Sequence, residues 1–248
     1  MRILIANDDG IDAPGLALLE RAARALSEDI WTVAPDGKRT AASSSISLDV
    51  PLTLRRLDER RYSCSGTPAD CIVTAMAWLF AEERRPVLVL SGINDGRNVA
   101  EDLAYSGTLG IAREASFWGV PAVALSRVKR PELAEADLAW VEDLLKVVWQ
   151  KRDEWWVEGH WLSVNLPARL PAAIVEPRIG RDKIGRTAEV VEEEGDATVL
   201  VLPRGRAHRS KAGDENDLID KGFATINWLN WFGESRLSAQ FVGAIGKQ

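Results

Sequence analysis

A chain of 248 residues with 46% hydrophobic and 27% charged side chains has room for one large α/β domain, or for a core with an appendage. Its formal charge of −6 argues against a general nucleic-acid binder, which needs a basic face, but leaves room for an anionic small substrate where a cation or backbone N–H groups reverse the local field. Two cysteines, Cys64 and Cys71, imply no disulfide framework; with no membrane-length apolar run and no signal-peptide pattern at the start, a cytoplasmic protein without a membrane partner is expected.

The chain opens MRILIANDDGIDAPG. Arg2 to Ala6 reads as a buried strand entering a loop, and Pro14 to Leu26 as a helix with Leu16, Leu19, Ala22, Ala23 and Leu26 on one face. Ile30 to Ala34 is the next strand, stopped by Pro35-Asp36-Gly37; strand, helix, strand begins a parallel sheet with right-handed crossovers. Thr67 to Glu82 reads as a helix with Thr67 as N-cap and Pro68 at its first position. Pro86 to Leu90 is an apolar strand of the parallel-sheet kind ending at Ser91-Gly92, Gly107 to Phe117 a third helix, and Ala122 to Leu125 a fourth strand.

Beyond about residue 128 the pattern changes. Leu133 to Trp149 is a long amphipathic helix, Trp155, Trp156 and Trp161 precede a strand over Leu162 to Leu166, and Ala172 to Leu202 alternates like antiparallel hairpins. The tail carries Trp228, Trp231 and Phe232, aromatics better suited to packing on a neighbour than to holding a ligand. The organisation expected is a core over 1–128 that carries the loops of interest, completed by 129–248, within one structural unit.

Asp8 and Asp9 pose the chemical question. Two adjacent carboxylates in a partly desolvated pocket repel by about a few kcal/mol, and side chains of successive strand residues point to opposite faces. Gly10 permits a bend that lets both converge, making a cup for a hard divalent cation; the alternative is a polar turn with solvated acids. Three further loops follow strands or open helices: Pro35 to Ser47 with its hydroxyls and a Lys-Arg pair, Ser91 to Asn98 with two amides, and Tyr105 to Gly110. The last offers the N–H groups of Ser106, Gly107 and Thr108 to a phosphate, and Asn7, Ser43 and Asn98 are further candidates for substrate contacts. Thr67-Pro68-Ala69-Asp70 reads as helix capping that supports these loops, with Cys71 packed inside. His160 and His208 lie far from every motif and are expected at a surface or interface.

NDDG at 7–10, APD at 34–36, GTPADC at 66–71, SGIN-x-G-x-N at 91–98 and YSGT at 105–108 together resemble the stationary-phase survival protein family, SurE. The resemblance implies a Rossmann-like, mainly parallel sheet flanked by helices, with a C-terminal extension that contains hairpins and builds a homodimer or homotetramer. It implies hydrolysis of nucleoside 5′- or 3′-monophosphates, in some members also of polyphosphate. It further implies one divalent ion per subunit (Mg²⁺ or Mn²⁺), bound by Asp8, Asp9, Asn94 and a hydroxyl that falls here on Thr40, where the family usually has Ser. Other departures are Gly37 for a common Arg, Ala41 for a common Gly, and Ser44 for a common His or Asn; they fall on phosphate contacts and substrate choice more than on the cation's oxygens.

The mechanism expected is direct hydrolysis at the metal, with Asp8 or Asp9 accepting a proton from water and the helix start at Ser106-Gly107-Thr108 holding the phosphate. A covalent aspartyl intermediate fits poorly, since Asp8-Asp9-Gly10-Ile11 is not Asp-x-Asp. Two other readings stand beside it: a non-catalytic nucleotide-binding or assembly module, and a dinucleotide or nucleotide-sugar enzyme. The absence of a Gly-x-Gly-x-x-Gly after the first strand speaks against the latter.

Overall fold

The structure, a computed structural model, describes residues 1–81, 84–129, 135–181, 187–203 and 210–233. Strand β1 (Ile3–Ala6) is wholly buried, with Ile3 and Ile5 in one apolar cluster and Leu4 and Ala6 in the other, as the two-residue period of a strand covered on both faces requires. Helix α1 (Pro14–Ala23) ends before Leu26, whose N–H bonds back to the Ala23 carbonyl at 2.9 Å in a tighter turn. Strand β2 (Ile30–Pro35) lies parallel to β1, with Ile30 opposite Ile3.

Strands β3 (Leu54–Asp58) and β4 (Arg61–Cys64) form an antiparallel hairpin absent from the expected elements. Its first strand, LRRLD, is an exposed edge and carries charges where alternation would otherwise show. The helix expected over 67–82 divides into α2 (Pro68–Thr74) and a π-helical stretch, Ala75–Leu79, that brings Met76 into the core; Glu82 lies outside the described residues. Strand β5 (Leu88–Asp95) runs past Ser91-Gly92, because Asn94 and Asp95 pair with the next strand after a register shift. Helices α3 (Asp102–Tyr105) and α4 (Gly107–Phe117) follow, then β6 (Ala122–Arg127). Helix α4 has the bounds expected, since its Ser106 cap and apolar face are local signals.

Helix α5 (Glu135–Gln150) and α6 (Arg152–Trp155) lead to β7 (His160–Leu166); positions 133 and 134 of the expected helix lie outside the described residues. Then come β8 (Ile174–Val175), the antiparallel hairpin β9 (Glu189–Glu194) and β10 (Ala197–Val201), α7 (Glu215–Asp220) and β11 (Ala224–Asn230).

Nine strands form one sheet in the order β3-β4-β2-β1-β5-β6-β7-β11-β8, and β9–β10 stands apart. The sheet is parallel from β4 through β7, so the fold is α/β as expected, and strands from both halves of the chain build it. Helices α1 and α5 cover one face through Leu16, Leu19, Val141 and Leu145; α2 and α4 cover the other through Ile72, Leu109 and Ala112. From β1 the chain goes to β2 on one side and later to β5 on the other. The carboxyl ends of β1 and β5 therefore flank a topological switch point, the place where open α/β sheets leave a crevice. His160 opens β7 at the opposite end of the sheet, its ring 4.7 Å from that of Trp228 and tilted 31° to it; His208 lies outside the described residues. No helix among the described residues is long and apolar enough to cross a membrane.

Candidate active site

The chain leaves β1 through a turn that Asn7 ties from both ends: its amide donates to the Gly10 carbonyl at 2.8 Å and accepts from the Gly10 N–H at 3.2 Å. Gly10 has φ +104°, and a Cβ there would lie 3.1 Å from the Gly37 backbone, so the bend belongs to glycine. Asn7 is fully buried. Its whole side chain goes into shaping the turn that presents Asp8 and Asp9.

Three other loops meet this turn. The loop after β2 docks through Arg39 N–H on the Asp8 carbonyl at 2.7 Å, and the Lys38 ammonium pairs with Asp9 Oδ1. The end of β5 supplies the Asp95 N–H to Asp9 Oδ2 at 3.0 Å. Helix α4 supplies the Thr108 hydroxyl, which donates to Asp8 Oδ1 at 2.6 Å. The turn, β5 and α4 thus converge on the acid pair.

Asp8 is 7% exposed, and burial pushes its carboxyl up to about 6; the Thr108 hydrogen bond opposes the shift and the neighbouring Asp9 charge adds to it. Removing the opposing hydrogen bond moves the value further the same way. Thr108→Val is expected to raise the Asp8 pKa above about 6, read from the pH dependence of its side-chain carboxyl carbon resonance in the metal-free protein; an unchanged or lower midpoint would show that the bond does not act on the charged form.

The remaining candidates are placed as follows. Asn94 donates through its Nδ2 to the Gly96 carbonyl at 2.7 Å, and its oxygen receives no donor among the described residues. Thr40 is exposed and bonded to no other described residue. Ser43 has φ 52°, donates its hydroxyl to the Ala104 carbonyl at 2.6 Å, and receives no bond from the acids. Asn98 is 7% exposed and bound to Ser126 through its amide and to Asn165 through its backbone. Ser106 caps α4 by accepting from the Leu109 N–H at 3.2 Å. Gly107 lies against Asp8 and Pro68, and a Cβ there would sit 2.8 Å from Asp8 Cβ. Ala41 has φ 59°, a conformation that costs a side chain about 1 kcal/mol.

Thr67-Pro68-Ala69-Asp70 has the supporting role expected. Thr67 and Asp70 form a capping box, and Asp70 also accepts from the backbone and hydroxyl of Ser47 at 2.9 and 2.8 Å, holding the loop after β2. Cys71 is buried in α2, and Cys64 is buried nearby.

Several supporting residues carry no signal in the sequence. Arg113 on α4 donates to Ser44 Oγ at 2.8 Å and lies 5.5 Å over the Trp161 ring, so it holds the position where the family commonly has His or Asn. Glu215, 1% exposed, accepts from the Ala100 N–H at 3.3 Å, and Arg97 reaches Asn216 and Asp220 at 3.0 and 2.8 Å. Helix α7 thereby braces the loop after β5.

Among the described residues no three His, Cys, Asp or Glu side chains gather as a metal cluster. An all-oxygen set of two carboxylates and one amide still suits a hard cation, and the donors are in a state to serve one. Asp8 is a buried carboxylate that accepts from the Thr108 hydroxyl, and the Asn94 oxygen accepts no bond among the described residues.

The profile of the family described as "Survival protein SurE" matches residues 3–189 of the chain. The chain is 36% identical over 236 residues to the 5′-nucleotidase SurE of Paramagnetospirillum magneticum, covering 92% of this chain and 89% of that protein. It is 43% identical over 185 residues to the 5′-nucleotidase SurE of Rhizorhabdus wittichii, covering 72% and 71%. The crystal structure of the SurE protein from Aquifex aeolicus aligns with a TM-score of 0.72 at 25% identity, covering 100% of this chain and 98% of that one.

Proposed function

The chain belongs to the survival protein SurE family, and from that premise we propose that it is a phosphoric monoester hydrolase that releases phosphate from nucleoside 5′-monophosphates at the acid pair beyond β1. The observation that carries the site is the meeting of two distant elements, α4 and β5, on the two adjacent carboxylates that follow β1: the Thr108 hydroxyl on Asp8 and the Asp95 N–H on Asp9.

Asp8, Asp9 and Asn94, with the Thr40 hydroxyl as a further oxygen, are the residues that would hold a divalent ion, Mg²⁺ or Mn²⁺, whose chemistry is to polarise a phosphoryl oxygen and lower the pKa of water. The first N–H groups of α4, at Gly107 and Thr108, have no carbonyl four residues back within the helix, and the helix begins beside Asp8; in this reading they take the phosphoryl oxygens and their developing charge. Asp8, a carboxylate above about pH 6, accepts the proton of the attacking water; Asp9 is the second candidate for that task. Ser106 sets the start of α4, and in this reading Asn7, Ser43 and Asn98, whose side chains bond within the protein, keep the walls of the site in place instead of touching phosphate. Nothing in the fold or among the relatives favours the non-catalytic module.

The test is phosphate release from a panel of nucleoside 5′-monophosphates with added Mn²⁺. Wild type is expected to turn over, and Asp9→Asn to retain about 1% of that rate or less; equal turnover in the variant would remove Asp9 from the chemistry.

We also infer a cytoplasmic homodimer or homotetramer that binds no nucleic acid. The support is the charge of −6, the free cysteines and the exposed apolar surface of Val190, Val191, Val199 and Leu200 on the β9–β10 hairpin and of Trp228 and Trp231 at the end of the sheet.

A further inference from the structure

The loop after β2 brings two adjacent cations to the acid pair, and they are used differently. Arg39 turns away: its guanidinium donates to Asp36 Oδ1 at 2.8 Å, the Ser65 carbonyl at 3.2 Å and the Gly66 carbonyl at 3.4 Å. Lys38 turns inward, and its ammonium pairs with Asp9 Oδ1. The other oxygen of Asp9 is taken by the Asp95 N–H, so the carboxylate has its backbone donor and its counter-charge both supplied by the protein. Asp8, one residue earlier, accepts from a hydroxyl and has no ion pair among the described residues. The Lys38 side chain is 53% exposed and Asp9 10%, so the ammonium reaches in from solvent on a flexible stem and makes no other bond among the described residues that would keep it there.

We propose that Lys38 is a competing counter-ion for Asp9, whose ammonium must be displaced before a divalent cation can take that carboxylate, and that it thereby weakens the cation affinity of this chain. The inference rests on the reading of Asp8, Asp9 and Asn94 as cation ligands. A divalent ion drawn to the carboxylate oxygen that Lys38 pairs with meets a second positive charge at contact distance and repels it. Breaking the ion pair therefore opposes cation binding by the strength of the pair, and any remaining proximity adds to it. A neutral side chain at 38 removes both terms.

The test is calorimetric titration of Mn²⁺ into chelator-stripped protein, with no substrate present. Lys38→Met is expected to bind Mn²⁺ about fivefold to tenfold more tightly than wild type, and Lys38→Arg, which keeps the charge, to stay within about twofold of it. Asp9→Asn, titrated in parallel, is expected to lose most of the affinity. Should Lys38→Met bind no more tightly than wild type while Asp9→Asn loses affinity, the role of Lys38 is overturned and the cation site stands. Equal tightening by Lys38→Arg would overturn the charge argument in the same way. Wild-type affinity in Asp9→Asn would overturn the cation site itself, and the role of Lys38 with it.

Discussion

Asp8→Asn is expected to abolish phosphate release and, in the metal-free protein, to raise stability at pH 8. The Asp8 carboxyl has an ordinary value of 3.8 in the unfolded chain and about 6 in the folded one. Between those values the folded state binds the extra proton, so this residue's contribution to stability falls as pH rises from 3.8 to about 6 and is fully unfavourable above it. The interval corresponds to about 3 kcal/mol, and about 2 kcal/mol is expected once the new amide's own hydrogen-bonding needs are counted. For a chain of this size that is a rise in melting temperature of roughly 6 °C. At pH 4 the gain should disappear and the variant should be no more stable than wild type, because the folded wild-type carboxyl is then protonated and only the amide's own cost is left. Activity should fall by at least about 10²-fold, since the proton acceptance and cation binding proposed for Asp8 both need its charge. The paired measurement is thermal unfolding with chelator at pH 4 and pH 8; a variant less stable than wild type at pH 8 would contradict the burial argument. Loss of activity with gain of stability marks a residue kept for its chemistry.

Gly107→Ala is expected to be nearly as damaging to turnover and to lower stability. The added methyl would sit 2.8 Å from Asp8 Cβ, 2.9 Å from the Pro68 ring and 3.1 Å from Asp8 Oδ2. Neither neighbour can yield easily. Asp8 is held by the Thr108 hydroxyl on the same helix, and Pro68 is the rigid first residue of α2, inside a capping box. Helix α4 must therefore move off the acid pair. Overpacking of this kind costs about 1–3 kcal/mol, and moving the start of α4, proposed above to hold the phosphate, is expected to lower turnover by about 10²-fold. Gly37→Ala is the matched control, because a Cβ there meets nothing within 4 Å, and its unfolding midpoint should differ from wild type by no more than about 0.5 kcal/mol. Denaturant unfolding and turnover of the two variants separate crowding at the helix start from a general intolerance of side chains in these loops.

These two residues divide differently between sequence and structure. That the acids belong together was legible locally: a short apolar strand runs into Asn7-Asp8-Asp9-Gly10, and only a glycine bend lets neighbouring carboxylates converge. Helix α4 was equally legible, its Ser106 cap and apolar spacing lying within a dozen residues. The mainly parallel sheet followed from alternating apolar runs and helices, and the order of the motif-bearing loops carried the family resemblance.

Elements whose identity depends on distant partners were not legible. The hairpin β3–β4 hides because its outer strand is an exposed edge, where charge replaces alternation, and β5 extends past Gly92 only because β6 offers it partners. The supports of the site are likewise non-local: Arg113 meets Ser44 across 69 residues and Glu215 meets Ala100 across 115. Lys38 reads in the sequence as one of two equivalent cations, and only the path of the loop turns it toward Asp9 and Arg39 away. Short-range propensity and side-chain chemistry are properties of a segment, and the sequence by itself determined those. Which buried charge finds which partner is settled by the packing of the whole sheet, because a contact between segments a hundred residues apart leaves no periodicity in either one.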